Sequence, residues 1–311
     1  MLKKTVKSIY AFISKGTVIV IALALVAALT ACGSESADVD DKKQEKKVKD
    51  ISIGSDSDDK DGSWELDYVD AHGERHTAVI DPDLKMHDYD WNNLVKGDDG
   101  TLSYSDDKYQ TRKGIDVSSH QGDIDWAKVK AAGIDFVFVR IVYRAYGEKG
   151  QLFADERARD NIKAAQAAGL DAGVYVFSQA VNEKEAVEEA ELTLKQLEGL
   201  ELELPVVFDP ETILDDEART DDVSGEQFTD NTIAFLDRIS EAGYKPMVYS
   251  NMVWEDELFD MKRLQDYPFW YADYEIPAQT PYAFSVWQYS EKGQVDGVEG
   301  AVDLNLEFIA Q

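Results

Sequence analysis

Phe136-Val137-Phe138-Val139-Arg140-Ile141 decides the fold. Apart from Arg140 the run is β-branched or aromatic without alternation, as in a parallel strand covered on both faces. Outward from it, strands and helices take turns. Upstream, Gly114-Ile115-Asp116-Val117 reads as a short strand, and Trp126 to Ala132 as a helix stopped by Gly133. Downstream, a helix over 155–168 ends at Gly169 and leads to a strand from Ala172 to Phe177. A helix over 183–198 leads to Leu204-Pro205-Val206-Val207-Phe208-Asp209, and one over 225–242 to Pro246-Met247-Val248-Tyr249-Ser250. Further strands are expected at Phe269 to Ala272 and Phe284 to Tyr289. Ala131-Ala132-Gly133-Ile134, Ala167-Ala168-Gly169-Leu170 and Glu241-Ala242-Gly243-Tyr244 repeat one grammar, a helix closed by glycine and handed to a strand. Repeated β–α units imply a parallel sheet. Seven or more strands in about 200 residues favour closure. The expected fold is α/β, a modified TIM-like β/α barrel over residues 111–311.

In such barrels chemistry gathers at the C-terminal ends of the strands. Asp116, Asp209, Glu211, Asp273 and Asp303 fall at or near such ends. Aromatic side chains gather there too: Tyr175, Phe177, Tyr249, Trp270, Tyr271, Tyr274, Trp287 and Tyr289. Acids among flat aromatic faces suit a sugar-cleaving cleft. Asp209-Pro210-Glu211 is the most informative triplet, because side chains at i and i+2 of an extended chain point the same way. Two carboxylates crowded in one cleft repel, so one keeps its proton. A protonated acid beside an ionised partner is the division of labour in glycoside hydrolysis. His120, after the first strand, is read as packing or hydrogen bonding there, and Arg140 as a partner of one of the cleft acids.

Lys113-Gly114-Ile115-Asp116-Val117-Ser118-Ser119-His120-Gln121-Gly122, followed by Ile124-Asp125-Trp126, resembles the opening of glycoside hydrolase family 25. The resemblance continues through Gly173-Val174-Tyr175-Val176-Phe177, Leu204 to Glu211, Trp270-Tyr271-Ala272, Trp287-Gln288-Tyr289-Ser290 and Val302-Asp303-Leu304-Asn305. It implies an N-acetylmuramidase that cuts the β-1,4 bond after N-acetylmuramic acid in peptidoglycan, on a modified β/α barrel. It implies Glu211 as proton donor to the leaving oxygen. Asp209 would stabilise developing positive charge or hold the substrate's acetamido group, with Asp116 and Asp303 as further cleft acids. Tyr175, Tyr249, Trp270, Tyr274, Trp287, Gln288 and Tyr289 would line the saccharide subsites. Several family members carry Lys-x-Thr-Glu-Gly after the second strand; this chain instead reads Arg140 to Gly150 without it, so that loop differs.

The remainder of the chain gives the setting. Lys3, Lys4, Lys7 and Lys15 precede an uncharged, mostly apolar run from Gly16 to Ala31, as in a secretory signal. Leu29-Thr30-Ala31-Cys32 resembles a bacterial lipobox, so residues 1–31 are read as a lipoprotein signal peptide and Cys32 as the acylated residue. Acylation there would hold the protein on the outer face of the cytoplasmic membrane, as in a Gram-positive cell. Residues 32–62 are rich in Ser, Asp, Glu and Lys and read as a disordered tether. Residues 63–110 read as a small β-rich appendage: Trp64, Leu66 and Tyr68 alternate, Thr77, Val79 and Ile80 return, and a second pair flanks Gly97 to Gly100. Its histidines, His72, His76 and His87, are read as exposed hairpin residues rather than metal ligands.

The 62 acidic against 32 basic residues leave a net charge of −30, which excludes nucleic acid as a partner. With one cysteine there is no internal disulfide and no cysteine cluster for a metal. No cofactor is expected, the partners are peptidoglycan glycan strands and the membrane, and a monomer suffices. A non-catalytic wall-binding lipoprotein on the same barrel and a hydrolase of another amino-sugar polymer are the alternatives.

Overall fold

A computed structural model describes residues 62–214 and 216–311. The signal-like stretch, Cys32 and the acidic segment up to residue 61 lie outside the described residues.

The described chain opens with two antiparallel hairpins, β1 (Trp64–Val69) with β2 (Arg75–Ile80) and β3 (Leu94–Lys96) with β4 (Leu102–Tyr104). The barrel strands follow: β5 (Tyr109–Val117), β6 (Phe136–Arg144), a short β7 (Leu152–Ala154), β8 (Asp171–Ser178) and β9 (Val206–Pro210). They continue with β10 (Pro246–Asn251), β11 (Phe269–Ala272), β12 (Val286–Gly293) and β13 (Val302–Ala310). In the sheet order β5-β13-β12-β11-β10-β9-β8-β6, the additional β5–β6 pairing closes an eight-stranded barrel, with β7 on the edge of β6.

Local chemistry explains the crossovers. The helices Trp126–Ala131, Glu183–Leu197 and Gly225–Glu241 are capped by Asp125, Asn182 and Ser224, each accepting a backbone N–H of the first turn. Gly133, Gly169 and Gly243 then take φ of 86°, 86° and 89°, the left-handed region that a side chain resists. The helix expected from residue 155 starts at Ala158, because Asp155 accepts the N–H groups of Ser119 and Arg157 instead of entering the helix.

Seven barrel strands run parallel; β13 is antiparallel to both β12 and β5. Residues 294–301 are too few for the crossover that a parallel return needs. The β11-to-β12 connection, residues 273–285, likewise contains no helix. The outer face of β11–β13 therefore lacks the helical cover that the other strands have, and residues 81–93 between the two hairpins, with the second hairpin, supply it. Tyr89 stacks on Phe308 at 4.1 Å between ring centroids and its hydroxyl donates to Phe284 O. Trp91 meets Trp287 at 5.7 Å, and Tyr289 OH accepts from Leu102 N. His87, expected as an exposed hairpin residue, lies instead between the hairpins, half-buried among Tyr89, Trp91 and Phe284 with its Nε2 on Thr280 O. Residues 63–110 are thus a wall of the same compact unit as the barrel.

Inside the barrel, Phe136, Phe138, Val207, Met247, Trp270 and Val286 form a plug separate from the outer core. Gly114 leaves room for it: a methyl group there would overlap the ring of Phe136. Because the N-terminal segment substitutes for missing helices, Tyr89→Ala should cost about 2 kcal/mol of stability, below the range for a fully buried aromatic because Tyr89 is half-buried. Urea unfolding should still show a single transition at lower midpoint; an unchanged midpoint, or a separate early transition of the hairpins, would contradict this account.

Candidate active site

Period-two alternation lifts one side chain in two into the barrel lumen. Above the plug, at the C-terminal ends of the parallel strands, this brings in Asp116 from β5, Tyr175 from β8, Asp209 from β9, Tyr249 from β10 and Gln288 from β12. Glu211 follows β9. The antiparallel β13 contributes Asp303 directly opposite Asp116 in the ladder.

Asp116 is the fixed point. Its Oδ2 accepts from Asn305 Nδ2 at 2.8 Å and from Gln288 Nε2 at 2.9 Å. Asn305 Oδ1 in turn accepts from Trp270 Nε1 at 2.8 Å, and Gln288 Oε1 accepts from the hydroxyls of Tyr249 at 2.9 Å and Tyr274 at 3.2 Å. The phenols therefore hold the Gln288 amide in the orientation that aims its N–H at Asp116. Trp270 is 1% exposed, stacked on Phe138 at 4.7 Å, and forms the floor beneath Tyr175 and Tyr249.

Four acids in one mouth raise one another's proton affinity. Burial, the charge of Asp116 and a hydrogen bond to it push Asp303 up to about 9, so Asp303 donates its proton to Asp116. Burial and then Asp116 raise Glu211 to about 7. Burial raises Asp209 well above the carboxylate range, with the charge of Glu211 adding to it and Arg140 opposing it. Burial raises Asp116 as well, but the donors around its Oδ2 favour the charged form, which makes it the member built to carry negative charge. Asp209 is 4% exposed and its Oδ1 has no hydrogen-bond partner, an acceptor left open inside the mouth.

The structure thus gathers Asp116, Asp209, Glu211, Asp303, Tyr175, Tyr249, Tyr274 and Gln288, with Trp270 below them. Trp287 and Tyr289, expected in the cleft, are not there. They flank Gln288 on β12, so alternation turns both outward, where Trp287 lies under Trp91 with its Nε1 on Asp273 O. Asp273 belongs to the loop beside the mouth, bonded to Gln279 and to the hydroxyl of Tyr271. His120 is exposed. Arg140 pairs with Asp155, through Nε at 3.1 Å and Nη2 at 2.9 Å, rather than with one of the four acids, and lies 4.8 Å from the Tyr143 ring. Among the described residues no group of histidine, cysteine and carboxylate side chains is arranged to hold a metal ion.

Sequence reasoning missed Gln179. It is 1% exposed and donates from Nε2 to Glu211 O at 2.6 Å, while its Oε1 accepts from Thr220 Oγ1. Its own carbonyl accepts from Arg219 Nη1, and Arg219 is paired with both oxygens of Glu185. This clamp fixes the backbone from which Glu211 projects. The Gln179-Ala180 pair carries no motif, so only the contact reveals it.

Such a mouth, acids flanked by phenols over an aromatic floor, defines a carboxylate-based carbohydrate-cleaving class of site. Residues 115–298 match the family model for Glycosyl hydrolases family 25, more than half of the chain, and the protein belongs to that family. An autolytic lysozyme of Clostridium acetobutylicum is 29% identical over 195 residues, 62% of this chain and 55% of that protein. Lysozyme M1 of Streptomyces globisporus is 30% identical over 211 residues, 62% of this chain and 66% of that protein. This chain therefore spans little more than half of the first relative and about two thirds of the second. Among solved structures, a family 25 glycosyl hydrolase from Bacillus anthracis superposes with a TM-score of 0.54 at 22% identity, covering 68% of this chain and 94% of that one. The autolysin LytC of Streptococcus pneumoniae, solved with a synthetic peptidoglycan ligand, gives 0.56 at 22% identity over 80% of this chain and 57% of its own. These likenesses carry the fold.

Two predictions follow from the electrostatics and the clamp. Folded Glu211 holds a proton that the unfolded chain has lost above its ordinary value of 4.5, so stability contributed there falls as pH rises from about 4.5 towards 7. Glu211→Gln should therefore be more stable than wild type at pH 7.5, by about 1–2 kcal/mol, with the gap closing at pH 4; thermal melts across that range check it. Gln179→Ala should lower kcat about 10- to 100-fold with KM little changed. It should also move the alkaline limb of the pH profile down as water reaches Glu211; an equal loss in both parameters with an unmoved limb would make Gln179 merely structural.

Proposed function

We propose that the protein is an N-acetylmuramidase that cleaves the β-1,4 bond between N-acetylmuramic acid and N-acetylglucosamine in peptidoglycan. The observation that carries the reading is the Asp209–Glu211 pair: one carboxyl held protonated to about pH 7, beside a buried carboxyl oxygen with no partner. Glu211 would protonate the leaving glycosidic oxygen. The open Oδ1 of Asp209 would accept the acetamido N–H of the bound sugar and fix its carbonyl oxygen beneath the anomeric carbon. Asp116, held by Asn305 and Gln288, would stabilise the oxocarbenium charge, and the proton shared with Asp303 keeps that corner from carrying two full charges. Tyr175, Tyr249 and Tyr274 offer sugar-facing phenols, with Trp270 as their support.

The autolytic lysozyme and the peptidoglycan-bound autolysin among its relatives support this substrate. One chain supplies every acid, so a monomer is sufficient. The barrel is read as a TIM-like variant whose last strand returns antiparallel. Lys-rich and apolar residues before Cys32 support a lipid-anchored, extracytoplasmic location, with residues 32–62 as the tether; the net charge of −30 then keeps a tethered enzyme from adhering to an anionic wall. A wall-binding module without catalysis would use the phenols but has no use for a carboxyl poised near neutrality.

The test is digestion of purified peptidoglycan, borohydride reduction and mass analysis of the products. Muropeptides ending in reduced muramic acid are expected, with a loss of 10²- to 10⁴-fold in Glu211→Gln. Ends on reduced glucosamine would mean a different bond, and intact binding without cleavage would leave a wall-binding protein.

A further inference from the structure

β6 carries one residue more than the strand beside it. Arg140 is paired with Tyr175 and Val142 with the very next residue, Val176, so Ile141 is extra and forms a bulge. The bulge changes which side chains face the lumen. Straight alternation from Arg140 would turn Tyr143 outward. Instead, Ile141 and Val142 are both buried in the outer core, and Tyr143 falls in register with Phe177, which falls in register with Asp209. Residues directly opposite one another share a face of the sheet, so Tyr143, Phe177 and Asp209 form one row on the lumen side.

β7 extends that row. β5 pairs with β6 only as far as Val139; beyond it β7 takes the same side of β6, with Phe153 opposite Tyr143. The two rings stack at 5.2 Å between centroids and 25° between planes. Phe153 is 39% exposed and Tyr143 half-buried, so the pair presents flat apolar surface at the rim of the mouth instead of burying it. The platform is held in place from several sides. Arg140, paired with Asp155, lies 4.8 Å from the centre of the Tyr143 ring. Ala145 N donates to Gln151 O across the β6–β7 loop, and Arg219 N donates to Tyr146 O, each at 2.9 Å. Arg219 also holds the Gln179 carbonyl, so this loop and the backbone of Glu211 are fastened to one residue.

In the eight-stranded ring β6 lies diametrically opposite β11, so the platform stands across the mouth from Tyr274, which follows β11. A polymer that enters such a mouth must leave it on the far side. There it meets the face of an aromatic ring, which carries negative charge density and suits the C–H face of a pyranose. We propose that Tyr143 and Phe153 form a stacking subsite for a sugar ring of the glycan strand beyond the two joined by the bond being cut. Tyr143 stands two strand spacings from Asp209, about 10 Å, which separates this ring from the one at the acids. The proposal deepens the muramidase reading and rests on it for the identity of the strand. Tyr143 belongs to the Arg140-to-Gly150 stretch that departs from Lys-x-Thr-Glu-Gly, so the subsite is a feature of this chain's own loop.

The experiment measures binding to the full chain carrying Glu211→Gln, so that the ligand is not consumed. The probes are native peptidoglycan fragments and glycan strands stripped of peptide by an amidase. Adding Phe153→Ala should raise Kd for the peptide-free strands about 10-fold, as expected for loss of one stacked ring. Tyr143→Ala should do the same, and Phe153→Trp, which keeps a flat face, should restore binding. Phe153 is an exposed side chain, so its replacement leaves the core untouched. Undiminished affinity in both alanine variants would overturn the subsite. So would a loss seen with native fragments but not with peptide-free strands, because the platform would then be taking peptide. Failure of the wild-type chain to cut peptidoglycan would overturn the muramidase reading itself, a separate outcome.

Discussion

Every strand of a closed barrel has two faces with different demands, and this molecule is organised by that constraint. Lumen-facing residues stack into an aromatic plug topped by acids; outward-facing residues need a second layer. Around most of the circumference helices provide it. Between β11 and β13 the connections are too short to do so, and the stretch joining the first two hairpins takes over, with Tyr89 and Trp91 filling the place of a helix.

The acids depend on the same layering. Asp116 would be an isolated buried charge were it not fastened from below by Asn305, itself held by the plug through Trp270, and from the side by Gln288, itself held by two phenols. Each link is a neutral dipole aimed at a carboxylate in surroundings that exclude water, where such interactions are strongest. Arg140 and Asp155 pair a short distance away, which leaves the mouth without a guanidinium in direct contact with any of the four acids. The result is a site that retains protons at neutral pH, as acid catalysis requires.

Much of this was legible in residues alone. The unbroken apolar run at Phe136 marked a doubly covered strand, the Ala-Gly helix ends marked the crossovers, and Asp209-Pro210-Glu211 announced paired carboxylates by spacing. The antiparallel return of β13 was less visible, because a strand's direction is set by the length of its connection rather than by its composition. Trp287, Gln288 and Tyr289 were grouped by proximity in sequence, yet a strand separates neighbours to opposite faces, and only Gln288 reaches the mouth. Arg140 reads as a partner of one of the cleft acids but pairs with Asp155, which follows β7 and has no pattern to mark it. Gln179 was invisible for a similar reason: a single amide gains its role from the carbonyl it meets across two loops. Periodic features are written in sequence, whereas loop-to-loop contacts are not.

The Asp116–Asp303 pair spans nearly the whole barrel sequence, the first barrel strand meeting the last. A chain emerging from the ribosome has the earlier acids but not their proton-sharing partner, nor the Asn305 amide that orients Asp116. The site is consequently assembled only when the final strand docks, a long-range closure that comes late in a fold of this topology. Copies truncated before β13 lack Asp303 and Asn305 and so cannot assemble the site. Assembly of the acid cluster is thereby coupled to completion of the chain.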